Sequence, residues 1–139
     1  MSNEYCTEGL QHALEVAYSE EQSVPANYYI GLCEDVSVAE DADLAGLTEL
    51  SGNGYAREAV ASDNTDFISA ATGTNDRKQT TKVVTFTASG GAWNGAVHAF
   101  LATTIDDSGK LVAVAALSVT RTLQVGDSLQ VSIVLTLAG

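Results

Sequence analysis

The chain of 139 residues carries 6 Lys and Arg against 18 Asp and Glu, a net charge of −12, with 45% hydrophobic and 17% charged residues. That is the length of one domain, apolar enough to close around a core and too poor in charge for a disordered segment. Six scattered bases, Arg57, Arg77, Lys78, Lys82, Lys110 and Arg121, form no patch to displace counterions from phosphate, which argues against nucleic acid or an anionic membrane as partner.

The apolar spacing of Cys6, Leu10, Ala13, Leu14, Ala17 and Tyr18 predicts an amphipathic helix from residue 4 to about 18, within an N-terminal segment 1–20. It should end before Pro25, the single proline. Self-packing of that stripe on the rest of the domain is the expectation, since a free helix of this length is marginal in water. From residue 26 onward the pattern is strand and turn. Tyr28 to Cys33 reads as a strand covered on both faces, and the acidic stretch from Glu34 to Gly46 as an exposed loop or short helical turn. Ser51 to Gly54 is a turn leading into a strand from Tyr55 to Val60. Ser62 to Gln79 reads as a long polar loop.

Strands are then expected at Lys82 to Thr87, Val97 to Thr103, Lys110 to Leu117 and Val119 to Leu123. Asp106 to Gly109 and Val125 to Asp127 are turns. Leu129, Val131, Ile133, Leu135 and Leu137 alternate with mostly polar residues, the period of a strand with one buried face. One helix and seven or eight short strands describe a mainly β protein, an antiparallel β-sandwich or jelly-roll over 26–139, in a single domain 1–139. Ile30, Leu32, Val84, Phe86, Leu101, Ile133 and Leu135 are its expected core. No apolar run reaches membrane-spanning length and Met1 to Glu4 has no leader pattern, so a soluble chain is expected.

Chemistry is sparse. Cys6 and Cys33 form no CxxC pair and lie on apolar elements, as buried thiols do. His12 and His98 sit among apolar neighbours without the partners of a triad. Asp106-Asp107 and the acids of 34–43 lack EF-hand spacing. No enzyme, cofactor or metal site is expected. Tyr55, Arg57 and Trp93 flank the glycine turns and are the candidate partner-binding residues, because arginine and aromatic side chains concentrate contact energy. The bland alternative is that Tyr55 and Trp93 pin loops while Arg57 neutralises a nearby acid.

The run Leu47-Thr48-Glu49-Leu50-Ser51-Gly52-Asn53-Gly54-Tyr55-Ala56-Arg57 resembles a phrase found in small virion proteins of tailed bacteriophages, variously called tail-fibre, minor structural or head decoration proteins. The likeness continues through Tyr29 to Leu32, Val84-Thr85-Phe86, Trp93 to Leu101, Leu111 to Leu117 and Val125 to Leu129. It implies a non-enzymatic virion component made in the host cytoplasm. Head decoration is the reading preferred: a homotrimer on the outer capsid surface that clamps the major capsid protein. A tail-tip, tail-fibre or saccharide-binding host-recognition module is the alternative.

Overall fold

The computed structural model describes residues 3–71 and 77–137. Among them, ten strands build a β-sandwich: β1 (Asn3–Tyr5), β2 (Asn27–Cys33), β3 (Glu58–Ala61), β4 (Phe67–Ala71), β5 (Arg77–Thr81), β6 (Val84–Thr87), β7 (Ala96–Ala102), β8 (Leu111–Arg121), β9 (Ser128–Val131) and β10 (Val134–Leu137). One helix, α1 (Thr7–Leu14), runs into a π-helical turn at Glu15–Ser19.

The main sheet is antiparallel in the order β1-β8-β7-β2-β3. Successive strand residues point to opposite faces, and here both faces are buried. Ile30, Leu32, Val60, Ala99, Leu101, Ala113 and Ala115 pack into the space between the layers. Cys33, Phe100, Ala102, Leu111 and Val114 point the other way, under Leu44. The acidic stretch after β2 therefore does more than hang in solvent. A short 3₁₀ turn at Leu44–Gly46, capped by Asp43 Oδ1 accepting from Gly46 N at 2.8 Å, seats Leu44 on the outer face while Glu40 and Asp41 stay exposed.

The second layer consists of the ladders β10-β5-β4 and β6-β9. Thr80 faces Val134, and further along Val84 faces Val131. The two ladders are thus one antiparallel pairing that slips by a residue at Lys82-Val83 and Ser132-Ile133. At the slip Thr81 N donates to Ile133 O at 3.0 Å, and Ile133 N donates to Thr81 Oγ1 at 2.9 Å. This hydroxyl stands in for a backbone acceptor and splits the single strand expected over 129–137 into β9 and β10. The alternation holds across the break: Val131 and Ile133 are buried, Leu135 is half-buried against the core, and Leu137 is exposed.

Two further expectations are corrected. The polar stretch 62–79 contains β4 and β5, paired from Phe67–Thr81 to Ala71–Arg77; the tip between them lies outside the described residues. Lys110 to Leu123, expected as two strands, is mostly the single β8.

The helix turns the other side inward. β8 bulges at Val112, since Leu101 pairs with Ala113 and Ala102 with Leu111. The chain enters α1 at this bulge, with Cys6 N donating to Val112 O at 3.0 Å and Glu8 Oε2 accepting from Leu111 N at 2.8 Å. Gly9 lies so close to β8 that a methyl on it would overlap the Val112 carbonyl. His12, one turn on, is buried. Its Nδ1 donates to Gln22 Oε1, which can only accept, at 2.9 Å, and its Nε2 lies 2.9 Å from the Tyr28 hydroxyl. Leu10, Leu14 and Tyr18, expected on the packed face, are 43%, 59% and 81% exposed.

Candidate functional site

Glu49 bridges Cys33, and Leu50 N donates to Leu32 O at 3.1 Å, so residues 48–50 lie along the end of β2 as a short extended lane. The chain then reverses through three successive left-handed residues, Gly52, Asn53 and Gly54, with φ of 75°, 52° and 81°. Glycine carries no steric penalty there. The reversal returns Tyr55 and Arg57 to the inside.

Tyr55 closes the turn against β2. Its hydroxyl accepts from Leu32 N at 2.9 Å and donates to Glu49 Oε2 at 2.6 Å. The ring stacks on Phe86 at 6.0 Å between centroids and meets Trp93 edge-on at 5.5 Å. Burial, then the bond to Glu49, raises the phenol above its ordinary pKa. Trp93 is also buried, and its Nε1–H donates to Asn53 O at 2.8 Å. Asn53 Nδ2 donates to Ala92 O at 2.9 Å, and Asn53 O also accepts from Ser89 N at 2.9 Å. The 51–54 tip and the 88–93 loop are stitched together.

Arg57 joins a third loop. A guanidinium has five N–H donors, and all five are engaged. Nε donates to Glu49 Oε2 at 2.9 Å; Nη2 donates to Glu49 Oε1 at 2.7 Å and Asp107 Oδ1 at 2.6 Å; Nη1 donates to the carbonyls of Thr104 at 3.0 Å and Asp106 at 2.6 Å. The same group lies 5.1 Å from the Phe100 ring centroid, a cation–π distance. Gly31 makes room: a side chain there would run into the Phe100 ring and the Tyr55 hydroxyl. Burial works against the charge, but the bonds and charges of Glu49 and Asp107 outweigh it and raise the guanidinium pKa.

The structure thus brings Tyr55, Arg57 and Trp93 together inside the fold as loop supports. Their polar groups are occupied, so direct contact with a partner would fall to what the loops expose: Ser51 to Gly54, Ser89-Gly90 and Ile105 to Ser108. Glu49 and Asn53 belong to the same unit without having been candidates in the sequence, and Asp107, weighed there only as an oxygen ligand, joins it through Arg57. Asp106, weighed there as an oxygen ligand, accepts from Ser108 N at 2.9 Å and Ser108 Oγ at 2.5 Å, which hold its carboxyl below the ordinary range. His98 Nδ1 lies 2.7 Å from Asp35 O. Cys6 and Cys33 are buried and not joined in a disulfide, and burial followed by the Asp35 charge pushes Cys33 up to about 12.

Tyr55, Arg57, Trp93, Glu49 and Asp107 thus form one unit that locks the loops of the β-sandwich from inside. Over residues 1–136 the chain matches the family described as "Podophage GP4 fiber I protein gp80". It belongs to that family and is a virion structural protein of a tailed phage. A comparison with curated proteins finds no match. The family gives no support to head decoration, cement or an outer-capsid location, and favours the fibre alternative.

Proposed function

We propose that this protein is a tail-fibre component of the virion that works without catalysis, holding fixed loops on a rigid sandwich. The family match across residues 1–136 carries this reading. The Arg57 unit is in keeping with it: a particle part that must keep its shape through collisions gains from loops tied by many short bonds to a buried charge. The partners in this reading are other tail proteins.

Imaging particles assembled with and without the protein tests the location. Extra density confined to the tail is the expected result. Density spread over the shell in groups of three, with capsid protein beneath, would replace this reading with head decoration.

A further inference from the structure

The helix shows solvent the side a packed helix normally hides. A shallow groove of about 630 Å³ runs along it, lined by Thr7, Gln11, Leu14, Glu15, Tyr18 and neighbouring residues. Leu10 extends the apolar strip by one turn. The inward face is made by Gly9 and His12, which let the helix lie almost against the β8 backbone. The π-helical turn at Glu15–Ser19 lies along the groove, and such turns recur at functional positions.

Charge indicates what fits there. The first 56 residues hold eleven acids and no Lys or Arg. Glu15 and Glu21 line the groove, Glu20 adjoins it, and Thr7 N donates to Glu40 O at 2.8 Å, which brings the exposed acids Glu40 and Asp41 beside the helix start. A second copy of this chain seated by the same face would set acid against acid, and like-charge repulsion opposes that contact. Of its six bases, Arg57 is buried, Lys82 pairs with Asp66 at 3.2 Å, and the other four are divided among β5, the start of β8 and its far end, so a second copy presents no basic border matching the groove.

We infer that the Leu10–Leu14–Tyr18 face is the docking surface for a different protein of the virion, one that presents an apolar ridge bordered by Lys and Arg. This rests on the fibre reading for where the partner sits. Apolar contact supplies the affinity, and the acidic border supplies orientation and salt dependence.

The test uses the full-length protein and particles assembled without it. Wild-type protein should bind such particles and lose roughly tenfold or more in affinity on going from low to near-molar salt. L14Q/Y18S, which alters side chains already in solvent, should keep its melting temperature and lose roughly tenfold or more in binding; E21K should bind more weakly with melting unchanged. A benzophenone photocrosslinker in place of Tyr18 should join the protein to a Lys- and Arg-rich peptide of another virion protein. Crosslinks to a second copy, no crosslink on the particle, or undiminished binding by the folded double variant would overturn the inference. Wild-type protein binding over the shell would instead overturn the fibre reading, with the crosslink still reporting on this face.

Discussion

Arg57 and Glu49 meet as a fork, Nε to Oε2 at 2.9 Å and Nη2 to Oε1 at 2.7 Å, and the Tyr55 hydroxyl shares that Oε2 at 2.6 Å. The pair fixes the distance between a lane beside β2 and the strand entering β3. Through Asp107 and two carbonyls it also fixes the turn after β7. One side chain therefore sets the relative positions of segments up to fifty residues apart in sequence.

Replacing that side chain should cost more than any single contact suggests. Arg57→Ala leaves Glu49 half-buried without its counter-charge and should destabilise by about 3–5 kcal/mol. Arg57→Lys keeps the charge but cannot form the fork, and should cost less. With Glu49→Gln added, the double variant should lose less than the two single losses combined. Urea titration of the four proteins checks the coupling; additive losses would mean the fork does not hold in solution.

Gly9→Ala should invert the usual rule. In an exposed helix the change stabilises by about 1 kcal/mol. Here the methyl meets the Val112 carbonyl, and relief requires moving the helix off β8, at about 1–3 kcal/mol. A lowered urea midpoint is expected, and a raised one would mean the helix rides further from the sheet.

Stability should fall at both ends of the pH scale. Cys33 and Tyr55 hold their protons more tightly folded than unfolded, where the values are 9.0 and 10.0. The unfolded chain therefore loses protons first, and stability is level through neutral pH and declines above about 9. Cys33→Ala should remove the earliest part of that decline. On the acid side Asp106 and Asp66 sit below 3.8, held chiefly by Ser108 and by the Ala61 N–H, so their contribution is complete above that value and is lost below it as pH falls through their lower folded values. Melting temperatures from pH 3 to 11 trace both arms, and a curve still rising above pH 10 would contradict the assignment.

Ile133→Asp places a carboxylate at a fully buried position beside Thr81 in the inter-layer core. An unpaired buried charge costs several kcal/mol against a total of about 5–15 for a domain, so the variant should not fold. Val83→Asp, at an exposed position beside the same register slip, should melt within a few degrees of wild type. Circular dichroism of the pair separates a buried face from a generally fragile region.

Period-two alternation was enough to locate the core strands, because a half-buried strand writes its burial directly into alternate residues, as Leu129 to Ile133 do. It failed for β4 and β5: Ser69, Gln79 and Lys78 belong to a thinly covered outlying hairpin where neither face demands apolar residues. The helix misled for a different reason. Counting apolar residues assumes that packing needs large side chains, whereas Gly9 packs by having none. Tyr55, Arg57 and Trp93 were visible as a group around glycine turns. Their role as loop pins beside a neutralised acid is one of the two readings the residues allow, but the loop that Arg57 reaches is not legible, because Asp107 and the Thr104 carbonyl meet it only after β7 has turned back.

β1 pairs with β8 through Asn3 opposite Ala115, so the sheet cannot be completed until most of the chain has left the ribosome. Loops that long are slow to close, and sandwiches of this connectivity fold on the order of milliseconds to seconds. During that interval the edge of β8 that β1 will cover is open to other nascent copies. Yield in a heterologous host should accordingly respond to synthesis rate and temperature, with slow, cool expression favouring folded protein over inclusion bodies.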